Sequence, residues 1–130
     1  MAYYRQTLAE CLHDLNTGEV QPYIALGNFL DDFYSSPSDD ERQRLLGDEP
    51  ESAKDEETHR WACFYAALAD WFSHKHGFST PSWVFKDRYR LSEPWFMMSN
   101  WRFRAYLLFE TPPPFIVRNI FCGDRILMRV

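Results

Sequence analysis

The chain has 130 residues, the size of one domain, and its formal net charge of −5 disfavours a general nucleic-acid-binding protein. Hydrophobic residues make up 45% of the sequence, a proportion typical of a globular fold and not of a disordered chain. The first residues lack the apolar stretch of a secretory signal, and no apolar run approaches the roughly 18 residues that a membrane span needs. Three widely spaced cysteines are typical of reduced thiols. We therefore expect a single cytoplasmic domain, residues 1–130, with no membrane segment.

Aromatic residues and charge are unevenly distributed along the chain. Aromatic side chains make up 18% of the residues, more than a core of this size can hide completely, so some of them are expected on a groove or contact surface. Residues 1–60 carry 14 acidic and 5 basic side chains, whereas residues 61–130 carry 5 acidic and 9 basic ones. The second half is therefore expected to present a basic face to an acidic partner or to phosphate, unless the two halves simply attract each other.

Apolar residues of the first half recur every three or four positions, which predicts helices. Gly18 and Gly77 are expected to end two of them in the left-handed conformation. Pro22 suits a first helical turn, Ser38 starts a capping-box pattern, and Asp32 is expected to face water. The predicted helices span residues 2–16, 21–34, 38–46 and 55–76.

Prolines punctuate the second half, which predicts shorter elements. Short helices or turns are expected at residues 81–89 and 93–98, and Thr111 is expected to cap a short helix that includes Phe115 and Arg118. The tail, residues 120–130, is read either as a small hairpin or as a last helix capped by Asp124. The predicted fold class is therefore mainly α: a compact single-domain bundle of about five to six helices with a proline-rich, irregular C-terminal segment.

Residues 100–109 predict one further helix in this half. Trp101, Ala105, Leu108 and Phe109 fall on one side of it at helical spacing. This side is expected to face the core, and Arg102 and its neighbour Arg104 are expected to point away from it.

A search for reactive groups finds no phosphate-binding loop, zinc-protease motif, nucleophile elbow or calcium loop. His74 and His76 are two residues apart, on different sides of a helix, which makes them poor joint metal ligands. Asp70 lies among apolar residues and is expected to be partly buried in an ion pair. Its candidate partners are Arg102, Arg104 and Arg118. Cys122, next to a glycine expected in a turn, is the one cysteine whose reactivity merits a test. We predict no enzymatic activity, no metal site and no cofactor.

The segment from residue 83 to residue 121 interleaves aromatic and basic side chains. Such side chains are enriched at protein–protein hot spots, and they also bind single-stranded nucleic acid. Core packing ranks first for the aromatic rings, a protein interface second and nucleic acid third. The predicted contact residues are Trp95, Phe96, Trp101, Arg102, Arg104, Phe115, Arg118 and Asn119.

Several segments of the sequence resemble a group of small bacterial proteins. The segments are Leu8–Asp14, Asp32–Tyr34, Pro94–Phe96 and Glu110–Phe121. In this group a PWF element precedes a helix, and a block containing P, F, R, N, I and F closes the chain. The group is similar to the smaller partner encoded beside nucleotidyltransferase-like proteins, in modules that resemble toxin–antitoxin pairs. The resemblance implies an antitoxin-like protein that binds and neutralises a nucleotidyltransferase-like toxin, and it supplies no catalytic residues.

The sequence therefore favours a non-catalytic protein-binding module. The alternatives are a nucleic-acid-associated regulator that uses the basic, aromatic second half, and an enzyme of unrecognised type. Self-association into a homo-oligomer stays open.

Overall fold

The computed structural model describes residues 3–128, and the prediction of a mainly helical protein is confirmed. Within this range there are six α-helices, and no helix is both long and apolar enough to cross a membrane. The α-helices are α1 Leu8–Thr17, α2 Pro22–Tyr34, α3 Asp39–Gly47, α4 Glu56–His76, α5 Arg104–Glu110 and α6 Pro113–Ile116. The chain divides into two compact units, with the boundary between Ala62 and Cys63 inside α4. One domain over residues 1–130 stays a prediction.

In the first unit, α1 begins later than predicted because a capping box sets its start. The Thr7 hydroxyl accepts a hydrogen bond from the Glu10 backbone N–H at 3.1 Å, and the Glu10 carboxylate accepts one from the Thr7 N–H at 3.0 Å. Residues 3–6 are therefore not helical, and the predicted helix is wrong over this stretch. Residue 2, where it was predicted to start, lies outside the described residues. Gly18 ends the helix with a φ of 76°, as predicted.

The two helices that follow match their predicted bounds within a residue. Pro22 occupies the first turn of α2, and the Ser38 hydroxyl accepts a hydrogen bond from the Glu41 N–H at the start of α3. Asp32 does not face water: it is buried, and its carboxylate accepts a hydrogen bond from the Tyr3 hydroxyl at 2.7 Å. A buried carboxylate needs such a donor, which the pattern of apolar residues could not reveal.

In the second unit, α4 supplies the central core. Its core side chains include Phe64, Leu68 and Phe72, all fully buried. Gly77 caps the helix in the left-handed conformation, as predicted, with a φ of 73°. The predicted short helices at residues 81–89 are found as the 3₁₀ helices Ser82–Phe85 and Asp87–Tyr89.

A two-stranded parallel pairing replaces two of the predicted elements. Strand β1, Trp95–Phe96, pairs with β2, Ile120–Phe121, so the prediction of a short helix or turn at residues 93–98 is wrong. The hairpin alternative for the tail is wrong for the described residues, because β2 pairs with β1 instead. A 3₁₀ helix, Arg125–Leu127, follows Asp124, although the Asp124 side chain does not cap it. Residues 129–130 of the predicted tail lie outside the described residues.

The Thr111 hydroxyl joins two segments instead of capping a helix. It donates to the Leu107 carbonyl at 2.5 Å and accepts from the Gly123 N–H at 2.7 Å. The N-cap of α6 is Pro112, so the predicted cap is wrong. These contacts hold the end of α5 against the start of the tail.

Candidate protein-contact surface

A cluster of exposed apolar side chains in the second unit lies on α5 and on the 3₁₀ helix before it, Trp101–Phe103. We call it the α5 face, and its residues are Trp101, Ala105, Leu108 and Phe109. Trp101 is 75% exposed, Phe109 83% and Leu108 48%. The helix predicted over residues 100–109 is 3₁₀ in its first turn and α-helical only from Arg104, and the prediction that Trp101, Ala105, Leu108 and Phe109 face the core is wrong, because all four are exposed. Large apolar side chains clustered in water mark interaction sites far more often than singly exposed ones do.

The opposite side of α5 explains why this face points outward. Leu107 is fully buried. The Tyr106 hydroxyl donates to the Asp124 carboxylate at 2.8 Å and accepts from the backbone N–H groups of Asp124 and Arg125, each at 3.0 Å. Gly123 lies so close that a Cβ at this position would collide with the Tyr106 ring. Burial raises the pKa of the Tyr106 phenol, so it remains a donor at neutral pH. These contacts fix the rotation of α5 about its axis.

Two arginines lie along the α5 face. Arg102 and Arg104 are both exposed. The Arg104 guanidinium carbon lies 3.7 Å from the centre of the Phe96 ring, and the Phe96 ring stacks on Phe121 with centroids 4.7 Å apart and planes 14° apart. The strand pairing of Phe96 with Phe121 therefore provides a platform for the Arg104 side chain.

The structure separates the predicted contact residues into three groups. Three of them are exposed beside or on the α5 face: Trp101, Arg102 and Arg104. Three are half-buried: Trp95, Phe96 and Asn119. The remaining two, Phe115 and Arg118, have buried side chains, at 0% and 5% exposure, and are inaccessible to a partner.

Sequence reasoning did not foresee that Phe103, Leu108 and Phe109 are exposed. The sequence contained a signal for Leu108 and Phe109, because Trp101 is predicted both on the core side of the helix and among the contact residues. Residues seven and eight positions further on share its side of a helix, so an exposed Trp101 implies an exposed Leu108 and Phe109.

Asn119 has a structural role that its sequence neighbours did not suggest. It is a non-glycine residue with a positive φ, 64°. Its side-chain amide donates to the Leu91 carbonyl at 2.6 Å, and its own carbonyl accepts from the Trp95 N–H at 2.8 Å. Asparagine tolerates this conformation better than most residues, and here it aligns β1 beside β2.

The predicted ion pair of Asp70 is found, and its partner is Arg118. The Arg118 Nη1 lies 3.2 Å from Asp70 Oδ2, and both side chains are more than nine-tenths buried. Arg118 also donates to the carbonyls of Pro114 at 2.7 Å and Val84 at 2.9 Å. The second carboxylate oxygen of Asp70 lies 3.1 Å from Nδ1 of the exposed His74.

A small pocket lies beside this ion pair. Its volume is about 110 Å³, below the roughly 300 Å³ at which ligand pockets of drug-like size begin. Exposed residues of both signs line it together with the pair, among them Lys86, Asp87 and Arg90. Because the Arg118 donors already bind a carboxylate and two carbonyls, the pair has the geometry of a structural anchor.

The cysteines offer no reactive thiolate. Burial raises the pKa of Cys11, Cys63 and Cys122 to about 12 in each case. Cys122, the cysteine selected from the sequence for a test of reactivity, is 3% exposed. Among residues 3–128, no group of three or more His, Cys, Asp and Glu side chains is placed to hold a metal ion.

An acidic groove of about 650 Å³ occurs in the first unit. Its five carboxylates are Glu10, Asp14, Asp48, Glu49 and Glu51. Nδ1 of His13 lies 2.7 Å from Glu51 Oε1, and this hydrogen bond raises the pKa of His13 above its ordinary value. Hydrogen bonds from His13 and Asn16 lower the pKa of Glu51.

The anchor role of the buried pair makes a prediction about stability. Asp70→Leu and Arg118→Met should each lower the free energy of unfolding by about 3–5 kcal/mol, because each leaves a buried charge without its partner. The double variant should lose clearly less than the two single losses together. Urea unfolding measures this, with Arg90→Met as the exposed control, expected to change stability by about 0.5 kcal/mol or less. Strictly additive losses in the free energy of unfolding would contradict the structural role of the Asp70–Arg118 ion pair.

The groove makes a prediction about pH. His13 should titrate above 6.5, its ordinary pKa, and Glu51→Gln should lower that pKa towards 6.5. Because folding raises the pKa of His13, contact between protonated His13 and ionised Glu51 stabilises the folded protein, and this stabilisation is complete below about pH 6.5 while Glu51 is ionised. It is lost as the pH rises through the pKa of His13 in the folded protein. NMR titration of the His13 ring protons measures the shift. Asp48→Asn, a change in the same groove without a His13 contact, is the control; a wild-type pKa at 6.5 would refute the coupling.

No protein-family model matches this chain, and neither the curated proteins nor the solved structures compared with it gave a match.

Proposed function

We propose that this protein is a non-catalytic protein-binding module that docks on its partner through the α5 face. The observation that carries the proposal is a set of large apolar side chains held in water on one side of a short helix. Trp101 and Phe109 are both at least three-quarters exposed, while Leu107, on the opposite side, is fully buried. Water contact at such side chains is unfavourable, and covering them would stabilise a complex.

The mode of binding that suits this geometry is a helix laid into an apolar groove. In that mode, residues three, four, seven and eight positions apart insert into one hydrophobic channel. Trp101, Ala105 and Leu108 have this spacing. The Tyr106 contacts hold α5 in one orientation before binding, so less conformational entropy is lost when the complex forms.

The resemblance to antitoxin-like proteins suggests which partner to test first. In that reading the partner is a nucleotidyltransferase-like toxin encoded by the neighbouring gene, and binding neutralises it.

Nucleic acid is the second candidate ligand for the same surface. An exposed Trp101 beside Arg102 and Arg104 could stack on bases and neutralise phosphates. The aliphatic Leu108 offers no stacking plane, and the net charge of −5 opposes binding, so protein is favoured over nucleic acid. Loss of binding with rising salt would be the signature of phosphate contacts.

The proposal predicts the effect of changes on the α5 face. The double variant Leu108→Ser/Phe109→Ser should weaken binding to the neighbouring gene product by tenfold or more, because it removes the apolar side chains that insert in the groove. Its melting temperature should stay close to the wild-type value, since both side chains are exposed. Calorimetry of the purified pair and rescue of growth in cells expressing the toxin measure the two consequences.

The matched control is Ile24→Ser, a change of an apolar side chain that is 55% exposed on α2. It should leave binding and rescue unchanged. Equal weakening by Ile24→Ser would refute the α5 face as the contact surface. No complex and no rescue with the wild-type protein would refute the antitoxin role.

A further inference from the structure

Arg104 has the geometry of a preorganised anion receptor at the edge of the α5 face. Its guanidinium carbon is 3.7 Å from the centre of the Phe96 ring, so the ring supports the side chain from one side. Phe96 is itself stacked on Phe121, and the β1–β2 pairing fixes both rings. The side chain is nevertheless exposed.

Arg104 has no acidic partner among the described residues. Within residues 3–128, neither Arg104 nor Arg102 forms an ion pair with a carboxylate. Other arginines of the chain do form ion pairs: Arg42 with Asp39, Arg44 with Glu41, and Arg118 with Asp70. Arg102 and Arg104 are thus two exposed arginines without an ion pair among the described residues, and both lie beside the α5 face.

A guanidinium supported on a ring is suited to carboxylates in particular. Its N–H groups point outward in the plane of the group, where they can donate two parallel hydrogen bonds to one carboxylate. Because the ring already restricts the long side chain, little further rotamer freedom is lost on binding. Such a site should therefore bind a planar carboxylate, which can accept both hydrogen bonds, more tightly than negative charge without this geometry.

We propose that Arg104 is a carboxylate-binding anchor, and that the partner presents an Asp or Glu side chain at the rim of an apolar groove that receives the α5 face. This inference rests on the proposed function. The adjoining apolar residues Leu108 and Phe109 favour a protein carboxylate over a phosphate, because a phosphate backbone has no apolar surface to cover them.

Two synthetic peptides test this chemistry on the full chain. Both are amphipathic helices with leucine on one face; one carries glutamate along the edges of that face, and its twin carries glutamine there. Fluorescence anisotropy at low salt measures the two dissociation constants for the wild-type protein. We expect the glutamate peptide to bind about fivefold to tenfold more tightly, because only it can form the bidentate contact.

Variants of the arginine then assign the preference. Arg104→Gln should abolish the preference for glutamate while changing the affinity for the glutamine peptide by about twofold or less. Arg104→Lys should keep only part of the preference, since lysine retains the charge but not the planar pair of donors. Arg90→Gln removes an exposed arginine of the same unit away from the α5 face and should keep the full preference.

Each opposing result has a distinct meaning. Equal affinity of the wild-type protein for both peptides overturns the Arg104 inference alone, provided that Leu108→Ser/Phe109→Ser weakens both. Absence of binding to either peptide overturns the Arg104 inference, whereas peptide binding that is insensitive to that double variant counts against the α5 face and thus against the proposed function. Tighter, Arg104-dependent binding of a single-stranded oligonucleotide of about 20 nucleotides would assign the anchor to phosphate and overturn the carboxylate proposal.

Discussion

The arrangement of the proline-rich half depends on one buried guanidinium. Arg118 forms an ion pair with Asp70 of α4 and donates to the carbonyls of Val84 and Pro114, so a single side chain joins three segments of the second unit. Its own carbonyl accepts from the Leu91 N–H at 3.1 Å. Where helices are short and strands have two residues, regular structure satisfies few backbone groups. Here the buried Arg118 guanidinium satisfies backbone carbonyls that regular structure leaves unpaired. Its removal is therefore expected to be strongly destabilising.

The contact surface follows from this framework. Next to Arg118, Asn119 aligns the two short strands, and their pairing sets Phe96 on Phe121 and beneath Arg104. Tyr106, on the side of α5 opposite the contact surface, is held by the start of the tail. The side chains that build the scaffold are thus different from those that meet water on the α5 face.

The elements predicted most accurately are those set by local signals. Gly18, Pro22 and Ser38 act through contacts within a few residues, and the helices they delimit are found within a residue at those ends. The Asp70–Arg118 pair joins residues 48 positions apart, so the sequence could name three candidate partners but could not choose between them. Helical periodicity identified which residues share one side of α5. It could not tell which side faces the core, because polar contacts of Tyr106 outweigh the apolar pattern.

The central claim is that α5 turns its apolar side to solvent in the free protein, and two neighbouring leucines test it. Leu108 is 48% exposed and Leu107 is fully buried. Methyl relaxation in the presence of a soluble paramagnetic gadolinium complex reports directly on their access to solvent. We expect strong relaxation enhancement for the Leu108 methyls and little for those of Leu107. Equal protection of both leucines, or greater enhancement at Leu107, would contradict the outward orientation of the α5 face and the docking role built on it.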